Sequence, residues 1–94
     1  MRVESMLKLF RSKTYLKEYA KIKFTDKLYT KYIVYITTLL KKESLPAEAN
    51  EHMLKGNWND FSEFHISGDL LVIYKIKDDI LCLARIGTHS QLFK

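Results

Sequence analysis

Three histidines, His52, His65 and His89, are the side chains of this sequence best suited to chemistry at neutral pH. An imidazole titrates near that pH, so it can accept or release a proton without special tuning. A carboxylate, Asp69, follows His65 across the short Ser67-Gly68 link, and Arg85 stands just upstream of His89. Net charge is +5, from 16 Lys and Arg against 11 Asp and Glu, which favours an anionic partner such as nucleic acid or an acidic protein. Imidazoles and a carboxylate on a basic chain suit proton transfer at a phosphodiester. The same spacing also fits three surface or structural histidines that never meet. A metal centre fits less well. Zinc histidines usually stand about three to five residues apart or beside a Cys-x-x-Cys pair, whereas the gaps here are 13 and 24. No metal and no cofactor is assigned.

Each histidine is expected at an element boundary. Residues 6–12 alternate Leu7 and Leu9 against Lys8, the period of a half-buried strand. Ser12 can cap a helix in which Tyr15, Tyr19 and Ile22 share one face. A second helix starts at Thr25 or Asp26, with Leu28, Tyr32, Tyr35, Ile36, Leu39 and Leu40 as its apolar stripe. The β-branched and aromatic residues at 32–38 favour a strand locally. The stripe nevertheless holds over three turns, Lys41-Lys42 suit the negative helix end, and Leu45-Pro46 breaks it. Residues 46–57 read as a polar connection that contains His52 and Lys55. Strand signals follow at 58–66, 69–76 and 80–86, the last two joined by a turn at Asp78-Asp79. The expected fold is α+β in the order β-α-α-β-β-β, two N-terminal helices packed on one face of a small antiparallel sheet. His52 then lies in a loop, His65 and Asp69 flank a turn, and His89 follows the last strand at an edge of the sheet.

Ninety-four residues amount to one domain, 1–94. Folding at this size buries only about 60–65% of the unfolded chain's surface, so stability is modest. An apolar content of 47%, with 13% aromatic residues, excludes a disordered chain. Cys82 has no partner for an internal disulfide, and its apolar surroundings point to a buried, inert thiol. No apolar run approaches the ~18 residues of a membrane span, and the first residues lack the apolar core of a signal peptide. A soluble, cytoplasmic protein with no membrane partner is expected.

The run HMLKGNWNDFSEFHISGDLLVIYKIKDDILCLARIGTHSQLF, residues 52–93, resembles the YafQ branch of the RelE/ParE superfamily of bacterial toxins, from toxin–antitoxin systems. The family pattern opens His-x-Leu-x-Gly-x-Trp, met by His52, Leu54, Gly56 and Trp58. A strand ending His-(Val/Ile)-x-x-Asp follows, met by His65, Ile66 and Asp69, then an apolar strand with Ile73-Tyr74-Lys75. The pattern closes Arg-x-Gly-(Thr/Ser)-His-x-x-Leu-Phe, met by Arg85, Gly87, Thr88, His89, Leu92 and Phe93. Each piece is weak alone; four in register over nearly half the chain are specific. The N-terminal half matches in element order only. Two positions depart from the pattern. Gly68 stands where the family commonly has proline, which is expected to loosen the link that positions Asp69. Leu70 replaces an aromatic that some members carry.

The resemblance implies a ribosome-dependent, metal-independent endoribonuclease that cuts messenger RNA in the A site with the ribose 2′-OH as nucleophile. A cognate acidic antitoxin would wrap and silence it. The catalytic set carried over is His52, His65, Asp69, His89 and Phe93, with Arg85 and Lys55 as substrate-binding residues. His65 with Asp69 falls on the base side and His89 on the acid side, while His52 positions the phosphate or shares the proton work. Arg85 offers a planar fork suited to paired phosphate oxygens. Phe93 is either a ring on which an unstacked base rests or a plug that anchors the tail. The basic residues between Lys8 and Lys31 are solvated helix faces or a grip on ribosomal RNA. Two rival readings remain at this level: a ParE-like, non-catalytic toxin acting on a protein such as gyrase, and a plain RNA-binding module. An inhibitor of that kind does not need the His/Asp/His set, and the binding module would hold RNA without cutting it.

Overall fold

The computed structural model describes residues 3–93. Its first strand, β1 (Lys8–Arg11), leads into helix α1 (Lys13–Ala20). Ser12 caps that helix, its Oγ accepting from the Tyr15 N–H at 3.0 Å. Helix α2 (Asp26–Leu40) starts from Thr25, whose hydroxyl accepts from the Leu28 N–H at 3.1 Å. The strand-like composition of α2 is overridden by tertiary burial. Tyr32, Tyr35, Ile36 and Leu39 go into the core at helical spacing, and each such large apolar side chain contributes about 1.5–3 kcal/mol when fully buried. Propensity differences are only a few tenths of a kcal/mol per residue, roughly, so packing wins. Thr30 and Thr38 donate their hydroxyls to the carbonyls four residues back, at 2.8 Å each.

The remaining strands are β2 (His52–Met53), β3 (Ser62–Ser67), β4 (Leu70–Lys77) and β5 (Ile80–Thr88), and a single helical turn, α3 (His89–Leu92), ends the described chain. The five strands stand in the order β1-β5-β4-β3-β2. Pairs β2/β3, β3/β4 and β4/β5 are antiparallel, as the hairpin signals require. The pair β1/β5 is parallel, so the sheet is mixed and not the purely antiparallel one expected. The crossover through α1 and α2 is what returns β1 and β5 in the same direction. That pairing also places β5 inside the sheet, not at its edge. The expected polar connection over 46–57 contains two short 3₁₀ turns, Ala47–Ala49 and Gly56–Trp58, as well as β2. The strand expected over 58–66 begins only at Ser62.

Two clusters lie on opposite sheet faces. Under α1 and α2, Tyr15, Tyr32, Tyr35, Ile36, Leu39, Phe64, Ile66, Val72, Leu81, Leu83 and Ile86 are buried together. On the other face Leu71, Ile73 and Leu92 form a smaller cluster, with Trp58, Phe61 and Phe93 packed around it. Cys82 belongs to this second face. It pairs with exposed Phe10 and is half-buried, so the expectation of a buried thiol is corrected.

The turn between β4 and β5 has positive φ at both Asp78 (53°) and Asp79 (63°). This is the backbone of a type I′ turn, whose twist suits a two-residue hairpin. Beyond the end of β1, α1 covers the bare edge of β5. Ser12 donates its Oγ–H to the Ala84 carbonyl at 2.8 Å, and the Glu18 carboxylate accepts from the Ile86 N–H at 3.1 Å. An exposed row of strand hydrogen-bonding groups is thereby closed.

Candidate active site

Cross-strand neighbours share a sheet face, so the register decides which histidines can meet. His52 pairs with Glu63 across β2 and β3. Along β4, Glu63 pairs with Ile73 and His65 with Leu71. Both partners belong to the cluster away from α1 and α2. His52, Glu63 and His65 therefore project together from the face the two helices leave open. The Glu63 carboxylate is the hub. Its Oε2 lies 2.8 Å from His65 Nε2 and 3.5 Å from His52 Nε2, and its side chain is only 4% exposed.

A 2.8 Å contact between an imidazole nitrogen and a carboxylate oxygen needs a hydrogen between them, so His65 carries one on Nε2. His52 Nδ1 lies 3.0 Å from the Asn50 carbonyl oxygen, which can only accept. His52 Nδ1 is thus the donor, and in the neutral ring Nε2 holds the lone pair. Asn50 itself sits in the left-handed region, with φ of 48°, and this bend turns its carbonyl toward the imidazole. His52, expected in a loop, stands on the two-residue strand β2, half exposed.

A second group forms at the paired ends of β4 and β5. Leu70 pairs with Thr88, which brings Asp69 beside His89. Asp69 Oδ1 accepts from the His89 N–H at 3.2 Å. The expected partnership of Asp69 with His65 is not what the structure forms. The carboxylate on His65 is Glu63, and Asp69 holds the start of α3 instead. The turn explains why: Gly68 takes φ of +48°, a conformation closed to proline, and sends Asp69 toward β5.

The tail is a built element. Thr88 caps α3, its hydroxyl accepting from the Gln91 N–H while the Gln91 Oε1 accepts from the Thr88 N–H. Gly87 packs closely under α3: a Cβ there would stand 2.8 Å from Gln91 Oε1 and 3.3 Å from Leu92 Cδ2, so the Gln91 side chain would have to shift. The ring of His89, first residue of α3, and that of Phe93, which follows α3, lie 4.9 Å between centroids. Phe93 also packs on the Leu71/Ile73/Leu92 cluster, as an anchor for the tail does.

Arg85 is engaged rather than free. Its Nε and Nη2 donate to the Glu18 carboxylate at 2.7–3.0 Å, and these bonds, with the Glu18 charge, raise its pKa above the usual value. Lys55 is exposed on the segment after β2. His65 and Gly87 occupy the same row across β4, two strand spacings or ~10 Å apart. The His52/Glu63/His65 group and the Asp69/His89 group thus stand on either side of the Leu71/Ile73 stretch of β4, which Leu92 and Phe93 cover.

Two residues of this arrangement were not singled out from the sequence. Glu63 alternates with Phe64 like any polar residue on a solvated face, and only its register with His52 marks it. Glu18 sits in a lysine-rich helix and meets Arg85 from 67 residues away.

Comparison with known proteins follows the same outline. The family pattern described as a bacterial toxin of type II toxin–antitoxin systems, YafQ, matches residues 7–94. The mRNA interferase toxin YafQ of Escherichia coli K12 is 39% identical over 61 residues, a stretch spanning 63% of this chain and 66% of that protein. A copper-bound mutant toxin from Helicobacter pylori superposes with a TM-score of 0.82 at 42% identity, covering 94% of this chain and 100% of its own. The toxin structure of the E. coli DinJ–YafQ toxin–antitoxin complex gives 0.79 at 30% identity, over 95% of this chain and 99% of its own. The family match and the superposed structures both run along nearly the full length, and on that basis this chain belongs to the YafQ family of type II toxin–antitoxin toxins.

Proposed function

We propose that this chain is an endoribonuclease that cuts messenger RNA on the ribosome by general acid–base catalysis, without a metal. The observation that carries the reading is the pair of proton-handling groups on either side of the Leu71/Ile73 stretch of β4. His52 is the base: its Nδ1–H is tied to the Asn50 carbonyl, leaving Nε2 to take the proton of a ribose 2′-OH. The attacking oxygen then forms a bond to the adjacent phosphorus as the bond to the 5′-oxygen breaks. A proton on His52 Nε2 faces the Glu63 carboxylate at 3.5 Å, while the Nε2–H of His65 fixes that carboxylate from the other side. His89, exposed on α3 and held through its backbone by Asp69, donates to the leaving 5′-oxygen. Phe93 supports the His89 ring. Arg85 and Lys55 are assigned to phosphate, Arg85 through the N–H groups that Glu18 leaves unused.

Positioned proton transfer contributes about 10²–10⁴-fold, and holding the substrate in line contributes more. A shallow site gains that alignment from the ribosome. A chain of charge +5 suits rRNA phosphates and an acidic antitoxin in turn. The E. coli relative is solved with its DinJ antitoxin; an antitoxin of acidic character, made in the same cytoplasm, is assigned to this chain. In the described residues no helix is long and apolar enough to cross a membrane.

The test is in vitro translation with wild type, His52→Ala and His89→Ala, followed by mapping of product ends. Wild type should yield 2′,3′-cyclic phosphate or 3′-phosphate ends within translated frames, and each variant should lose at least ~100-fold in rate. Growth arrest without cleavage would instead support a non-catalytic, ParE-like inhibitor. Equal cleavage of free RNA would remove the ribosome from the reading.

A further inference from the structure

Strand β5 carries an extra residue beside Arg85. Ile73 pairs with Arg85 and Tyr74 with Leu83, which leaves Ala84 without a partner on β4. A bulge of this kind bends its strand and re-aims the neighbouring side chain. Helix α1 is fastened on both sides of it. Ser12 donates its Oγ–H to the Ala84 carbonyl at 2.8 Å and its N–H to the Leu83 carbonyl at 3.1 Å. Further along α1, the Glu18 carboxylate accepts from the Ile86 N–H at 3.1 Å and from Arg85 Nε and Nη2 at 2.7–3.0 Å. One edge of the guanidinium is thus held by a carboxylate that is itself tied to the backbone of β5. Among the described residues nothing bonds Nη1. The end of the fork formed by Nη1 and the second Nη2 N–H remains, and such an end can meet two phosphate oxygens side by side. Arg85 also stands in one cross-strand row with Ile73, Glu63 and His52, on the sheet face away from α1 and α2.

From this geometry we infer that Glu18 is a positioning residue: it grips the Nε/Nη2 edge of Arg85 so that the other end of the guanidinium is offered to phosphate in a fixed orientation. This role rests on the ribonuclease reading and on its assignment of Arg85 to phosphate, and adds to them what holds Arg85 in place. Stability alone gives little reason for the pair. The side chains of Glu18 and Arg85 are only 21% and 25% exposed, and the desolvation of two charges offsets much of their attraction. Position is a stronger reason, because a fixed guanidinium needs no reorganisation as charge builds on the phosphate. The carboxylate also cancels a positive charge beside a polyanion. Charge and position therefore act in opposite directions: without the carboxylate, attraction for RNA rises while the orientation of Arg85 is lost.

Glu18→Gln separates the two effects. Glutamine keeps an oxygen for the Ile86 N–H and leaves the guanidinium one acceptor short. A defined messenger RNA on translating ribosomes is cut by an excess of wild type or variant, and the maximal rate and the half-saturating protein concentration are read separately. The maximal rate should fall about tenfold, with half-saturation unchanged or lower. In an Arg85→Ala background the same substitution should change the rate by no more than about twofold, because Glu18 acts only through Arg85. Arg85→Lys leaves Glu18 and its bond to the Ile86 N–H in place, and keeps the test sound if Glu18→Gln fails to fold. An ammonium has the charge without the planar fork, so its maximal rate should also fall about tenfold. A wild-type maximal rate in folded Glu18→Gln or in Arg85→Lys overturns the positioning role, as does an equal loss from Glu18→Gln in both backgrounds. Cleavage by Arg85→Ala at the wild-type rate overturns it as well and leaves the ribonuclease reading standing. Failure of folded wild type to cleave overturns both.

Discussion

Glu63 is the residue whose environment departs furthest from what its type suggests. A carboxylate with 4% of its side chain exposed persists because two imidazoles meet it, since an unpaired buried charge costs several kcal/mol, roughly. Its place between His52 and His65 makes the three act as one unit. Glu63→Gln keeps the volume and an acceptor for the His65 Nε2–H, but removes the charge that answers a proton on His52. Cleavage should fall by ~10²-fold with little change in melting temperature. The double variant Glu63→Gln/His52→Ala should be no slower than the worse single one, because groups acting as a unit are not additive. Wild-type rates in folded Glu63→Gln would remove this carboxylate from the mechanism. Glu51 is a useful contrast. It accepts from the Tyr74 hydroxyl, and burial raises its pKa. A carboxyl whose folded-state pKa is raised stabilises the fold below its unfolded pKa and loses that contribution as pH rises. Glu51→Gln should therefore melt higher than wild type at pH 7, with the gap closing as pH falls through the carboxylate range.

Among the elements, two glycines shape the strand ends that bear Asp69 and His89. Gly68 has φ of +48° with open space where a Cβ would point. Strain, not crowding, is what excludes other residues there. Gly68→Ala should cost about 1 kcal/mol, and Gly68→Pro more, because the ring fixes φ near −65°. For a domain of this size that is several degrees of melting temperature per kcal/mol. The family's common proline is thus expected to harm this chain, and a Gly68→Pro variant as stable as wild type would refute the left-handed turn. Gly87 works by the opposite cause. Its missing Cβ lets Gln91 and Leu92 fold back on β5. Gly87→Ala should push α3 outward, breaking the Gln91–Thr88 bond and displacing His89, so activity should fall more than stability does.

For the whole molecule, an aromatic layer joins α1 to α2. Tyr15 is fully buried and its hydroxyl meets that of Tyr32 at 2.5 Å. Tyr19, Phe24 and Tyr29 continue the stack outward. Burial raises the pKa of Tyr15 and of Tyr32, and raises that of Tyr19 to about 12. The folded state thus holds these protons more tightly than the unfolded chain, whose tyrosines titrate near 10. Their contribution is complete below about pH 10 and is lost as pH rises beyond it. Alkaline unfolding should accordingly set in above that pH and be less steep in Tyr15→Phe/Tyr32→Phe. At neutral pH, Tyr15→Phe alone should cost about 1 kcal/mol or more by leaving the Tyr32 hydroxyl unpaired, and the double variant should cost less than the two singles together. A chevron or thermal double-mutant cycle reads this directly.

Much of the scaffold was legible in the residues because its signals are local. Ser12 and Thr25 cap helices within three residues of themselves, the α2 stripe repeats within a few turns, and Asp78-Asp79 make their turn alone. The residues proposed for the site, His52, His65, Asp69, His89 and Phe93, are likewise marked by a motif whose spacing is read along the linear chain. Tertiary structure alone decided how they are wired. Pairing of β1 with β5 joins segments some 70 residues apart, and no local pattern specifies such a partner. It encloses β5, and α1 then closes the remaining edge through Glu18. Period-two alternation places Glu63 on the far face from the helices, yet says nothing of what covers that face. The cover comes from His52 and His65, by register across β2 and β3. Asp69 changed partner for the same reason: its neighbour is set by the meeting of strand ends at Leu70 and Thr88, not by its distance from His65 along the chain.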